Sequence, residues 1–145
     1  MLHKTFWFAA SLTIAIVLNG SFALGSNKVA ECNRISTIVN QAATEAQSSS
    51  SNTKDPVGEL EKVSRHMTRY AAQLDKLQIQ DSQLRNLKAR FAKMYRETAT
   101  ASTAMVTAAR ARDEPKMSES LTALQRATSQ EDSLVSEFNK YCGAN

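Results

Sequence analysis

Apolar side chains recur at alternating spacings of three and four residues from about residue 57 to residue 112, the pattern of helices that each bury one face. The first half of this stretch carries one apolar seam, made of Leu60, Val63, Met67, Tyr70, Leu74 and Leu77. The second half carries another, made of Leu84, Leu87, Phe91, Met94, Tyr95, Thr98, Ala101 and Met105. These seams predict two antiparallel helices, over residues 56–78 and 82–112.

A turn between these two helices is predicted near Gln80 and Asp81. Asp81 occupies a position where the seam requires an apolar residue, and Asp81 or Ser82 is a good N-cap for a new helix. The alternative is one continuous helix of about 56 residues, which would be about 84 Å long. That length would be unusual for a domain of this size.

A further helix is predicted on the N-terminal side, over residues 27–47. Glu31 and Glu45 are expected to lie off its apolar face, which carries Val29, Cys32, Ile35, Ile38, Val39, Ala42 and Ala46. The polar run over residues 48–53 predicts a flexible loop. Asp55 followed by Pro56 then predicts a capped start for the next helix.

The last helix is predicted over residues 115–141. Asp113, Glu114 and Pro115 are typical of a helix start, and Gly143 lies where a helix stops. Its inward side chains are predicted to be Met117, Leu121, Leu124, Thr128, Leu134, Val135, Phe138 and Tyr141. The acidic pair Glu131 and Asp132 is expected on the solvated side.

Residues 1–25 predict a cleaved secretory signal peptide. Lys4 precedes an uncharged run over residues 6–18, and small residues allow cleavage after Ala23 or Gly25. A membrane span needs about 20 apolar residues, more than this run provides, although an uncleaved anchor is the alternative. We therefore expect one exported domain, residues 26–145, in the periplasm or outside the cell.

The chain contains two cysteines, Cys32 near the start of the first helix and Cys142 at the end of the last. In an up-down-up-down bundle these two ends lie at the same pole. Exported proteins form disulfides, so we predict an all-α, antiparallel four-helix bundle closed by a Cys32–Cys142 disulfide. A redox pair or a metal site is the alternative, but the chain has no C-x-x-C motif.

Few residues are suited to catalysis. His66 is the only histidine after the predicted signal peptide, and an isolated histidine on the polar side of a helix is expected to be exposed. The chain lacks the G-x-S-x-G motif of serine hydrolases, the C-x-x-C-H motif of covalent haem and the glycine-rich loops that bind phosphate. The sequence therefore predicts a non-enzyme with no catalytic residue, metal or cofactor.

Charge is distributed unevenly along the chain. Between Lys62 and Arg96 nine cations and two acids give +7, whereas residues 113–137 give −4. Seven cations are predicted to form one surface, here called the basic face: Lys62, Arg65, Arg69, Lys76, Arg85, Lys93 and Arg96. This face predicts binding to an acidic protein partner or an anionic membrane surface.

Three other roles are considered: a structural bundle, a carrier of an apolar ligand, and nucleic-acid binding. The cations could be solvated and paired locally, for example Arg65 with Glu61 at four residues. The protein would then be a structural bundle, or a carrier of an apolar ligand lined by methionines. Nucleic acid is not expected, because Tyr70 and Tyr95 belong to the seams and are not interleaved with the cations. The oligomeric state is not indicated.

Three short segments resemble small exported helical proteins of cyanobacteria: residues 28–33 (KVAECN), 90–95 (RFAKMY) and 137–142 (EFNKYC). The overall plan is also similar to the lumenal four-helix subunits of the PsbQ type, which dock on a membrane photosystem. This resemblance concerns architecture, and it implies a docking role and a thylakoid-lumen location if the protein is cyanobacterial. It implies no site residue.

Overall fold

The computed structural model describes residues 23–49 and 54–143. The described residues form five α-helices: α1 (Ala23–Ser49), α2 (Pro56–Lys76), α3 (Ser82–Ala111), α4 (Glu114–Thr128) and α5 (Glu131–Cys142). The predicted all-α class is therefore confirmed. Residues 1–22 of the predicted signal peptide, and residues 50–53 of the predicted flexible loop, lie outside the described residues.

Aspartates cap the starts of α2, α3 and α4. Asp55, Asp81 and Asp113 each accept a hydrogen bond from the backbone N–H three residues later, at 2.9, 2.9 and 3.1 Å. Each bond satisfies an N–H that the first helical turn leaves unpaired. Gly143 ends α5 in the left-handed conformation, which glycine adopts without steric cost. The starts predicted at Asp55 and Asp81 are confirmed.

α2 and α3 are separate helices, as predicted, and the alternative of one continuous rod is wrong. Residues 77–81 form a non-helical linker. Leu77 adopts an extended backbone, and the buried side chain of Ile79 reaches the core from the linker. Ile79 does not fit the helical seam because it is not part of either helix.

Ion pairs show how α2 and α3 are matched along their lengths. Arg96 binds Asp75 at 2.7 Å, and Arg110 binds Glu61 at 2.7 Å. Residue numbers therefore fall along α2 as they rise along α3. The local pairing of Arg65 with Glu61, which the sequence left open, is not formed among the described residues, because the Glu61 carboxylate binds Arg110 of α3.

The helix predicted over residues 115–141 is interrupted once: α4 ends at Thr128, residues 129–130 form a turn, and α5 begins at Glu131. The hydroxyl of Thr128 donates to Leu124 O at 3.0 Å, and that of Ser129 donates to Arg126 O at 2.8 Å. Such side-chain bonds compete with the helical ladder. Ser129 and Gln130 keep right-handed helical angles, so α5 continues the rotational phase of α4.

Three side chains of the outer helices lie where the sequence did not place them. Val29 is 58% exposed and Leu121 is 47% exposed, although both were predicted to face inward. α4 packs chiefly against α3, so Leu121, which lies about 100° around α4 from the buried Ser120, stays outside that contact. Glu31 was predicted to lie off the apolar face of α1, and it is buried.

The first turns of α1 and the end of α5 meet at one pole, where the predicted disulfide joins Cys32 to Cys142 with a Cα–Cα distance of 6.0 Å. Beside it, Glu31 accepts hydrogen bonds from the backbone N–H groups of Gln80 at 2.8 Å and Asp81 at 3.1 Å. These bonds explain why a carboxylate is tolerated inside the protein. α1, the linker and α5 are therefore held together at this pole.

Replacing Cys32 and Cys142 together by serine should lower the free energy of unfolding. The cross-link joins residues 110 apart in sequence, so loop-closure entropy sets a ceiling of about 4–5 kcal/mol. Urea unfolding followed by circular dichroism measures the loss. A reductant should shift the wild-type midpoint toward that of the variant and leave the variant unchanged; an unmoved wild-type midpoint would contradict this account.

Replacing Glu31 by glutamine should destabilise the fold by about 1.5–3 kcal/mol, because two charge-assisted hydrogen bonds to the linker are weakened. The matched control is Glu119→Gln, which removes an exposed carboxylate and should change stability by no more than about 0.5 kcal/mol. Thermal and urea unfolding compare the two variants. Equal stabilities would show that Glu31 does not anchor the linker.

Candidate functional site

The structure divides the predicted basic face into paired and unpaired cations. Five of the seven bind groups of the same chain: Lys62 binds Glu59 at 2.9 Å, Arg69 binds Glu45, Arg85 donates to the carbonyls of Ile79 and Gln80, Lys93 lies 3.8 Å from Glu97, and Arg96 binds Asp75. Arg65 and Lys76 are exposed. Among the described residues, neither has a hydrogen bond or an ion pair.

The paired cations of this face differ in how readily they could bind an outside anion. The side chains of Lys62, Arg69 and Arg96 are about half exposed, at 49%, 48% and 52%. Exposed ion pairs contribute only about 0–1 kcal/mol, so an outside carboxylate can replace the internal one at little cost. Arg85 instead stabilises the linker carbonyls. Arg65 and Lys76, which are exposed and have no partner among the described residues, are therefore the open cations of the basic face.

A polar cluster joins α1 to α2 at one edge of the basic face. Glu45 accepts a hydrogen bond from Arg69, and its Oε2 atom also lies 3.0 Å from Nδ1 of His66. Among the described residues, this Nδ1 atom is buried and makes no hydrogen bond. His66 was expected to be exposed, but its side chain is 28% exposed and lies against Glu45.

The carboxyl group of Glu45 is kept ionised by its surroundings. A hydrogen bond with the Tyr70 phenol lowers the pKa of Glu45, and the nearby His66 and Arg69 lower it further. Burial raises the pKa of Tyr70. A carboxylate with a lowered pKa is a poor general base, so this cluster is suited to binding and not to proton transfer.

A shallow cleft of about 510 Å³ lies over this cluster, between α1 and α2. Its walls carry carboxamide and hydroxyl groups together with the ion pair, and they are formed by Asn40, Gln41, Thr44, Glu45, Arg69, Tyr70 and Gln73. The amide groups can both donate and accept hydrogen bonds. The cleft therefore offers hydrogen-bond donors and acceptors beside the basic face, among the apolar parts of the same side chains.

Within the described ranges, no group of three histidine, cysteine, aspartate or glutamate side chains is arranged to hold a metal ion. Both cysteines belong to the disulfide. None of the helices that the structure describes has the length and apolarity required to cross a membrane.

No protein-family model, curated protein or solved structure matches this chain. The chemistry of the site therefore has to be inferred from its own residues. Those residues are two open cations on α2, a row of exchangeable ion pairs beside them, and a polar cleft next to that row.

Sequence reasoning missed an acidic side chain in the interior. Glu131 was expected on the solvated side, but it is partly buried, and its charge acts on the buried Tyr95 of α3. Burial raises the pKa of Glu131, with a further contribution from Asp132. Glu131 precedes Leu134 and Phe138 by three and seven residues, so the seam spacing already placed it on the inward face of α5.

Replacing Glu131 by glutamine should stabilise the protein at neutral and alkaline pH. Because the pKa of Glu131 is raised in the folded state, its favourable contribution is complete below the unfolded-state pKa and is lost as pH rises through the folded-state value. Thermal melting at about pH 8 should therefore favour the variant, and this advantage should shrink near about pH 4, close to the ordinary glutamate pKa.

The control for this experiment is Asp132→Asn, which neutralises the neighbouring, exposed carboxylate. Its melting temperature should differ little from that of the wild type over the same pH range. If Glu131→Gln were no more stable than the wild type at about pH 8, the inward position of this carboxyl group would be wrong.

Proposed function

We propose that this protein is an exported, non-catalytic helical bundle that binds an acidic protein surface through the basic face of α2 and α3. The observation that carries the proposal is that Arg65 and Lys76 have no partner among the described residues. Both are exposed on the same side of α2, and neither has a hydrogen bond or an ion pair with another described residue. They lie 11 residues apart in sequence, or about 16 Å along the helix.

The proposed compartment and topology are supported by the disulfide and by the ion pairs between α2 and α3. A disulfide between Cys32 and Cys142 is typical of proteins outside the reducing cytosol. With residues 1–25 as a cleaved signal peptide, the remaining helices form an antiparallel up-down-up-down bundle in which α4 and α5 together are the fourth member. The ion pairs between α2 and α3 support this arrangement, because residue numbers fall along α2 as they rise along α3.

An acidic protein is favoured over an anionic membrane because of the side chains between the open cations. Thr68 and Ala72 are the small, exposed residues on this side of α2. Peripheral membrane helices generally insert large apolar side chains, and this side of α2 offers none between Arg65 and Lys76. Arginine, in contrast, matches carboxylate groups through paired hydrogen bonds.

A non-catalytic role agrees with the chemistry of the polar cluster. The guanidinium of Arg69 binds the carboxylate of Glu45. The Tyr70 phenol, His66 and Arg69 all lower the pKa of Glu45. An ionised carboxylate paired with an arginine favours a stable polar surface over a proton-transfer centre.

Reversal of the two open cations tests the proposal. The double variant Arg65→Glu/Lys76→Glu should lose retention on immobilised poly-glutamate, because it removes the unpaired charges and leaves every observed ion pair in place. The matched control, Arg126→Glu/Lys140→Glu, makes the same charge change on α4 and α5 and should be retained. The melting temperatures of both variants should stay close to that of the wild type.

The same three proteins are also mixed with phosphatidylserine vesicles in low salt. Binding to vesicles but not to poly-glutamate would replace the acidic protein by an anionic membrane. Equal retention of both variants would contradict a specific basic face, and absence of wild-type binding to either probe would favour a structural bundle or an apolar-ligand carrier.

A further inference from the structure

Within the described residues, every acidic side chain up to the cap of α4 is engaged by the same chain, whereas most of those in α4 and α5 are not. All nine acids from Glu31 to Asp113 have a hydrogen bond or an ion pair within the described residues. Glu137 of α5 is also engaged, by Arg90 at 2.6 Å. Four acids of the described ranges have no hydrogen bond and no ion pair, and they are here called free: Glu114, Glu119, Glu131 and Asp132.

Two of these free acids belong to one exposed line along α4 and α5, here called the acidic ridge: Glu114, Leu121, Gln125 and Asp132. These residues follow one another at spacings of seven, four and seven, so they share one side of the helix. The rotational phase continues across the turn at residues 129–130 because Ser129 and Gln130 keep helical angles. The ridge contains no cation and extends over about 27 Å.

Leu121 gives the acidic ridge an apolar centre. It is 47% exposed, and Val29 is the only other large apolar side chain with high exposure in the described part of the chain. An exposed leucine placed seven residues after Glu114 would be buried by a partner that also supplied cations. Isolated exposed apolar residues are ordinary, so its position between two free acids is the informative feature.

The open side of α2 has the complementary arrangement. Arg65 and Lys76 are its free cations, and the exposed Ala72 lies between them, seven residues after Arg65. This seven-residue spacing equals that from Glu114 to Leu121. When the two helices lie side by side in the same direction, Glu114 faces Arg65, Leu121 covers the small Ala72, and Lys76 faces Gln125. Asp132 then lies beyond the end of α2, about 10 Å further along the ridge than Lys76.

We infer that the acidic ridge of one molecule docks against the Arg65–Ala72–Lys76 side of α2 in a second copy of this chain. The inference rests on the proposed function, since it identifies the acidic partner of the basic face. Every copy carries the basic surface on α2 and the acidic ridge on α4 and α5, so a second copy supplies the matching surface at the same concentration. Each copy offers one basic and one acidic surface, so two copies can close a pair or extend into a chain.

Sedimentation velocity of the disulfide-bonded protein at low salt tests this association. The wild type should sediment faster as its concentration rises at about 10 mM salt, where charges act over about 30 Å, and should be monomeric at about 0.5 M. The variant Glu114→Gln/Asp132→Asn should weaken association at least about tenfold. The matched control, Asn33→Lys/Thr37→Lys, makes the same +2 change on the exposed side of α1 and should keep it.

A mixing experiment identifies the two surfaces. Arg65→Glu/Lys76→Glu and Glu114→Lys/Asp132→Lys should each be monomeric alone, because each makes both of its surfaces alike in charge. Mixed together, they should associate, because each then meets an opposite surface.

A wild type that remains monomeric at low salt, or an association that neither double variant weakens, would overturn the inference. The proposed function fails separately. If Glu114→Gln/Asp132→Asn is still retained on poly-glutamate while no self-association is found, the basic face binds an acidic partner other than a second copy. If Arg65→Glu/Lys76→Glu keeps its retention on poly-glutamate, the proposed function itself is wrong.

Discussion

The junction between the start of α1 and the end of α5 is the constraint on which the rest of the structure depends. Cys32 and Cys142 are joined covalently there, across a sequence separation of 110 residues. Tyr141 donates a hydrogen bond to Asp81 at 2.9 Å, and Asp81 also caps α3. One aspartate therefore connects the start of α3 to the end of α5, and the buried Glu31 connects the linker to α1.

Acids and cations are distributed unequally between the helices of this molecule. The acids of α1, α2 and α3 are used inside the molecule, as linker anchors, helix caps or ion-pair partners. Cations of the same helices outnumber those acids, so Arg65 and Lys76 have no acidic partner among the described residues. α4 packs chiefly against α3 and leaves its outer side open, and the acids of that side are free. The mild total charge of +4 hides this division.

Much of the fold followed from local patterns. The helix starts at Asp55 and Asp81 were predictable because a carboxylate before an apolar-periodic segment satisfies free N–H groups. The disulfide was predictable because the expected topology and the expected export both pointed to it. The turn at residues 129–130 was not predictable, because it contains neither glycine nor proline, and hydroxyl bonds to backbone carbonyls have no strong sequence signature.

The candidate site was predicted less completely than the fold. The cations of the basic face could be identified from helical spacing, but their partners could not, because Glu45 and Asp75 come from distant parts of the chain or from another face. Glu31 was misplaced because a buried carboxylate requires donors from the linker, which only the tertiary structure supplies. Glu131 could have been placed from the seam spacing alone.

The most direct test of this account is mass-spectrometric mapping of proteolytic fragments under non-reducing conditions, with the free thiols blocked first. The account predicts one cross-linked fragment that contains Cys32 and Cys142, and no blocked thiol at either residue. Two blocked, unlinked cysteines in the native protein would contradict it, since α1 and α5 would then not be joined.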